Sequence, residues 1–342
     1  MSTPQPPYPL HESVASLLDQ QYVDFYNKYI INAQQVQYQP VEASRTSGTL
    51  IPGASDPLPV AETKDYHIER QETKGDGPVT VRVFTPTGDA PEGGWPAFLY
   101  MHGGGWVLGN INTENVHCTH WAQLGQCVVV SVDYRLAPEN PFPAAVDDTW
   151  EAYLWLAQNK AGLNINTSRL AAGGSSAGGN LTAVLAHMLI ERNNCSTTKL
   201  PDLKFQLLIV PVCDNNASKE TYDTWDKYEF TAALPADKMM WYRYKYLPNK
   251  EDWTNPRASP ITYPDSSFKQ LPPAHIAVAG LDVLSGEGEA YRQKMEKNGV
   301  KVTFKSYPGV PHPVMAMNGV LDKGKQLVHE CSQAIHDALY NN

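Results

Sequence analysis

The sequence predicts an α/β protein built on an open, mostly parallel sheet with helices on both faces. Three observations carry that reading. From residue 95 onward, short apolar runs of strand length alternate with longer stretches whose apolar residues recur at helical spacing. One short run, Cys127–Val132, is β-branched and almost wholly apolar, as expected of a central strand covered on both faces. The small-residue stretch Gly173–Gly179 lies between a strand-like segment, Arg169–Ala172, and a helical run, Leu181–Ile190.

The chain has 342 residues, enough for one large α/β domain or two ordinary ones. An apolar fraction of 42% indicates a sizeable core, and 27 basic against 36 acidic residues argue against a nucleic-acid partner. No apolar run approaches the ~18 residues of a membrane span. The Pro-rich start, Met1–Leu10, has neither a basic nor an apolar region, so a cytoplasmic protein without a secretory signal is expected. Cys118, Cys127, Cys195, Cys213 and Cys331 lack Cys-x-x-Cys spacing and read as buried free thiols. The sequons at Asn166, Asn180, Asn194 and Asn216 read as chance, with Asn180 expected at the functional site.

Residues 1–60 form a separable segment. Val14, Leu17, Leu18, Tyr22, Phe25 and Tyr26 predict a helix over about His11–Ile31, followed by a polar linker from Gly48 through Pro52 to Pro59. The segment either packs over the remainder as part of a lid or contributes core packing alone. Strands are expected at Tyr66–Arg70 and Val79–Phe84, joined by a Gly-Asp-Gly turn at 75–77, and then at Trp95–Met101 and Cys127–Val132. A helix follows at Asp148–Asn159. Beyond the glycine-rich stretch come strands at Phe205–Val210, His275–Ala279 and Val302–Tyr307, with helices at 285–298 and 321–339. Between Asp214 and Pro256 the alternation lapses into an aromatic-rich insert containing Trp225, Tyr228, Phe230, Trp241, Tyr242, Tyr244 and Tyr246. An insert after a central strand is placed to cover the sheet's C-terminal edge.

Gly174-x-Ser176-x-Gly178 fits a nucleophile elbow, a strand-to-helix turn so sharp that only small neighbours fit. A serine hydroxyl needs a base, and that base needs an orienting carboxylate. In α/β-hydrolases, whose nucleophile elbow this stretch resembles, the partners follow in the order Ser, Asp/Glu, His. Asp282, just past the strand His275–Ala279, and His312, past Val302–Tyr307, satisfy that order. Glu287 is a reserve acid, although its place inside a helix makes a solvated role the expectation. His102-Gly103-Gly104-Gly105-Trp106, directly after a strand, offers backbone N–H groups that with Ala177 could bind an oxyanion. His117 and His120 flank Cys118 without a further ligand group nearby and read as ordinary core or surface side chains.

Four stretches together, His102–Trp106, Asp133–Glu139, Pro141–Ala145 and Gly174–Gly179, resemble the hormone-sensitive-lipase-like esterases. The resemblance runs from about residue 80 to the C-terminus. It implies an α/β-hydrolase fold spanning 61–342, with a helical cap built from residues 1–60 and an insert at about 214–256. It further implies carboxylesterase activity on short acyl chains, with no metal or organic cofactor. Ser176, Asp282 and His312 match the family's triad positions; Gly103, Gly104, Gly105 and Ala177 match its oxyanion hole. Monomers and homodimers both occur in such families. Departures are Ser175 where an acid is usual, Asn140 for His, Pro313-Val314 for Gly-Phe, and Val283-Leu284-Ser285-Gly286 for Pro-Leu-Arg-Asp. The aromatic insert favours a compact or aromatic ester as substrate. Two alternatives stand beside hydrolysis. One is a small-molecule receptor, as in the related plant gibberellin receptors, which lack the histidine kept here as His312. The other is acyl transfer to an alcohol.

Overall fold

Among the described residues, eight strands form a single sheet in the order β1-β2-β4-β3-β5-β6-β7-β8. They are β1 (Glu62–Ile68), β2 (Val79–Thr85), β3 (Trp95–Met101), β4 (Val128–Asp133), β5 (Ile165–Ser175), β6 (Leu203–Ile209), β7 (Ala274–Ala279) and β8 (Val302–Tyr307). Only the pairings of β2, with β1 and with β4, are antiparallel. The structure is a computed structural model and describes residues 7–47, 51–159 and 161–341. Residues 1–6 of the expected N-terminal segment, residues 48–50 of the expected linker and Asn342 lie outside the described residues.

The helices are α1 (Glu12–Ala15), α2 (Gln20–Tyr29), α3 (Val41–Ser47), α4 (Asn115–Gly125), α5 (Ala144–Ala157), α6 (Ala177–Cys195), α7 (Asp223–Lys227), α8 (Ala236–Tyr246), α9 (Asp265–Phe268), α10 (Ser285–Lys297) and α11 (Asp322–Tyr340). Strand alternation divides the core in two. Leu99 and Met101 of β3 pack with Trp150 of α5, Leu185 of α6 and Tyr291 of α10. Phe98 and Tyr100 face the other way, onto Trp121 of α4 and Leu327 of α11. Every residue of β3 is buried, so this strand must be apolar throughout. Each large side chain buried here contributes about 1.5–3 kcal/mol.

Several elements differ from the sequence expectation for identifiable reasons. The expected helix over His11–Ile31 is split into α1 and α2. Asp19 is drawn into an extended N-cap because its N–H donates to the Gly309 carbonyl (2.8 Å) and its carboxylate pairs with Lys323 (2.7 Å). The first hairpin is not tight, since β1 ends at Ile68 opposite Val79. Arg70 leaves the strand to reach Asp148 (2.7 Å), and the N–H groups of Gln71, Glu72 and Thr73 all donate to the Glu151 carboxylate on α5. Between β6 and β7 the excursion reaches residue 273, beyond the expected 256, because α9 and short 3₁₀ turns follow α8. Cys195, at the end of α6, is exposed; the other cysteines are buried.

β5 runs directly into α6 through Ser176, whose φ of 53° and ψ of −115° belong to no regular element. Glycines make this possible. A Cβ on Gly178 would overlap the Met101 carbonyl oxygen, and one on Gly174 would overlap the Gly178 backbone. Both obstacles are main-chain atoms that cannot swing aside. Gly178→Ala should therefore lower the unfolding free energy by about 3 kcal/mol, at the upper end of what overpacking usually costs. Urea unfolding of the variant measures this, and a loss below about 1 kcal/mol would show that β3 can retreat.

Candidate active site

The C-terminal ends of β5, β7 and β8 converge on one point. Ser176 follows β5, Asp282 follows β7, and His312 lies on the loop after β8. His312 Nε2 lies 2.8 Å from the Ser176 hydroxyl, and His312 Nδ1 lies 2.6 Å from Asp282 Oδ2. Asp282 is fully buried, and its second oxygen accepts from the Leu284 N–H (3.0 Å). With the carboxylate fixed on Nδ1, that nitrogen carries the proton and Nε2 is left to accept from the serine hydroxyl. The structure thus brings the three residues into one bonded chain.

The glycine loop after β3 lies beside them. Gly104 (φ 123°) and Gly105 (φ 60°) occupy backbone regions where a side chain would be strained, and the Tyr242 ring fills the space a Cβ on Gly105 would need. Among the described residues, the N–H groups of Gly104, Gly105 and Ala177 have no acceptor. Gly103 differs from the expectation: its N–H donates to Glu114 Oε2 (3.3 Å), so it is not free for a ligand. His102 stacks on Tyr134 with ring centroids 4.3 Å apart, and its Nδ1 lies 2.6 Å from the Gly103 carbonyl. Burial pushes its ring down to about 4, so it stays neutral and braces the loop.

Glu114 is the residue that sequence reasoning missed. It stands at the N-cap of α4, and one oxygen accepts from the Ser175 hydroxyl (2.8 Å) while the other accepts from Tyr100 (2.8 Å) and Gly103. Burial pushes its carboxyl up, against the pull of those three donors. The missing acid at position 175 was the available signal: a buried serine beneath the elbow needs an acceptor, and α4 supplies it from another element.

Other candidates resolve differently. Glu287 is not solvated; it is buried, accepts from the Cys213 N–H (2.8 Å), and burial raises its carboxyl well above the usual range. Asn180 donates to the carbonyls of Val212 (2.9 Å) and Ala258 (2.8 Å), tying α6 to the insert. His117 is buried on α4, with Nε2 3.0 Å from the Met315 carbonyl; His120 bonds the Val116 carbonyl. Among the described residues, no group of three or more His, Cys, Asp or Glu could hold a metal ion, and no helix is long and apolar enough to cross a membrane.

A cavity of about 750 Å³ opens onto Ser176 and His312. Its walls come from the glycine loop, from Tyr22 and Phe25 of α2, and from Met239 and Tyr242 of α8. The N-terminal segment and the insert also touch each other, through a 2.6 Å bond from the Tyr38 hydroxyl to Asp237.

Comparison with known proteins agrees with this architecture. The family described as having the alpha/beta hydrolase fold matches residues 98–316. The chain is 53% identical, over 96% of both chains, to an AB hydrolase superfamily protein of Schizosaccharomyces pombe. It is 32% identical to an ethyl acetate hydrolase of Pseudomonas putida, covering 80% of this chain and 84% of the other. A hyperthermophilic esterase from the archaeon Pyrobaculum calidifontis superposes with a TM-score of 0.83 at 31% identity, over 94% of this chain and 98% of that one. The chain belongs to the α/β-hydrolase family. Within that superfamily, its relatives place it among the carboxylic ester hydrolases.

Two outcomes follow from the buried groups around the site. Glu114→Ala strands the donors of Ser175, Tyr100 and Gly103, so urea unfolding should show a loss of about 3 kcal/mol; a loss near zero would mean water replaces the carboxylate. Burial also pushes His117 from 6.5 down to about 4. As pH falls through that window the unfolded chain takes up a proton that the folded one refuses, so stability is lost toward acid. His117→Gln removes this contribution, and the stability gap between wild type and variant should narrow from pH 6.5 to 4. A gap that stays constant would show that the ring titrates normally.

Proposed function

We propose that the protein is a serine carboxylesterase acting on short-chain or small aromatic esters through an acyl-enzyme. The observation that carries this reading is the unbroken chain from Asp282 through His312 to Ser176, with bonds of 2.6 and 2.8 Å. Ser176 Oγ attacks the ester carbonyl while its proton passes to His312 Nε2. Asp282 stabilises the imidazolium that forms. The oxyanion is received by the N–H groups of Gly104, Gly105 and Ala177, with Gly103 held back as a brace. His312 then protonates the leaving alcohol, and water hydrolyses the acyl-enzyme by the same route.

Substrate size is read from the cavity. Tyr22, Phe25 and Tyr242 line a space of about 750 Å³, suited to a compact ester or an aromatic ring. Residues 1–60 and the insert at about 214–256 serve as the cap, since both supply its walls. The relatives named as esterases support hydrolysis over a receptor role, and the serine–histidine contact supports it further.

Hydrolysis of p-nitrophenyl esters from acetate to laurate tests the proposal. Short chains should turn over fastest, and Ser176→Ala should lose up to ~10⁶-fold in kcat. A phosphonate inhibitor should add its mass to the wild type alone. Equal rates in the two proteins would overturn the serine mechanism, and a preference for laurate would overturn the substrate class.

A further inference from the structure

A lysine in the cavity wall forms no ion pair among the described residues. Lys238 lies in the first turn of α8 and lines the same cavity as Ser176 and His312. Its ammonium donates to a single acceptor, the Ala233 carbonyl at 2.8 Å. Ala233 is itself strained, with φ at 70°, and also lines the cavity. Among the described residues, no carboxylate pairs with Lys238. The neighbouring Asp237 caps the Lys238 backbone N–H with Oδ1 (2.7 Å) and favours its charge, while Oδ2 is engaged by the N-terminal segment, accepting from Tyr38 (2.6 Å) and Gln37 (3.4 Å).

This arrangement is unfavourable for the empty protein. An ammonium carries three donors, and Lys238 uses one of them. It also stands in the helix's first turn, where the backbone dipole repels a cation. Burial pushes it down to about 8, which still leaves it mostly charged at neutral pH. A half-buried cation with one protein acceptor, facing a substrate cavity, is explained if the substrate supplies a further partner.

We propose that Lys238 binds a carboxylate on the substrate, so that the preferred esters carry an anionic group a few atoms from the scissile bond. The placement follows from the helix. Lys238 and Tyr242 are four residues apart, hence on one face and about 5–6 Å apart at Cβ. The Tyr242 ring lies against Gly105 of the glycine loop. The ammonium and the glycine loop therefore face one cavity, with Tyr242 between them on the helix face it shares with Lys238. Glu114, the other charge on the cavity wall, has both oxygens turned to protein donors, so Lys238 is the charged side chain on this wall suited to hold an anionic group. This inference rests on the ester-hydrolase reading of the cavity, and the test separates the two.

Monoethyl glutarate and 4-acetoxybutanoate place a carboxylate on the acyl and alcohol sides respectively; ethyl pentanoate and butyl acetate are their neutral counterparts. Initial rates at pH 7 would be compared for wild type, Lys238→Met and Lys238→Arg, with thermal melting to confirm that each variant is folded. Lys238→Met should raise KM for at least one charged ester by about tenfold or more, the range of a hydrogen bond to a charged group. It should leave the neutral esters within about twofold, and Lys238→Arg should retain most of the preference. Calorimetric binding of the same charged esters to Ser176→Ala, with and without Lys238→Met, reads the contact without turnover. Binding that depends on Lys238 in a protein that hydrolyses none of these esters would sink the hydrolase reading and leave the anion site standing. Brisk turnover of neutral esters, with charged esters indifferent to Lys238, would overturn the anion site alone.

Discussion

The site depends on one close approach, that of the first turn of α6 to the end of β3. Met101 and Gly178 are so near that no side chain fits between them. That proximity places the serine and the glycine loop on adjacent strands of one rigid sheet. β3 and β5 pair in parallel up to Met101 opposite Gly174, so the loop after one strand and the elbow after the other emerge side by side. Ser176 pays for this with a backbone conformation of the kind that costs about 1–3 kcal/mol. Its own N–H donates to Ile209 and its carbonyl accepts from Asn180 and Val212, and these bonds hold the strained turn in place. Because Ala177 opens the helix, its N–H is left without an internal partner. Strain, free donor and exposed hydroxyl are consequences of the same turn.

Beneath the elbow the electrostatics have been moved rather than removed. An acid at position 175 would have placed charge on the turn itself. Here Ser175 is neutral and the carboxylate arrives from α4 as Glu114, bonded to Ser175, Tyr100 and the Gly103 N–H. The same carboxylate therefore links β3, β5 and the glycine loop. A half-buried carboxylate with three donors is held in place by their geometry. The exchange also explains why Gly103 is not available to a substrate while Gly104 and Gly105 are.

Much of this could be read in the sequence, and the limits have physical causes. The central strands from β3 to β7 were legible through apolar runs that a strand covered on both faces requires, β8 through its β-branched and aromatic residues, and the order Ser176, Asp282, His312 was legible because each follows a strand. Asp19 was not, since the bonds that break the first helix come from Gly309 and Lys323, nearly three hundred residues away. Glu287 was misjudged because helical periodicity gives a face but not what packs on it; the acceptor role toward Cys213 and Asp214 belongs to tertiary structure. Glu114 carried no local pattern at all. Its partners lie on two strands and a loop that only the fold assembles.

Those long-range bonds also connect the cavity's roof to its chemistry. Asp19 begins α2, whose Tyr22 and Phe25 line the cavity, and the same residue bonds the Gly309 carbonyl and Lys323. Gly309 lies on the loop that delivers His312, and a side chain there would collide with the Asp19 carboxylate. The roof is thus anchored to the loop that holds the histidine, not to the solvent-facing side of the sheet. Any displacement of α2 that opens the cavity must strain or break bonds at Gly309, three residues from the imidazole. The N-terminal segment and the insert meet over the cavity where Asp237 accepts from Tyr38 and Gln37, and again where His11 stacks on Phe230.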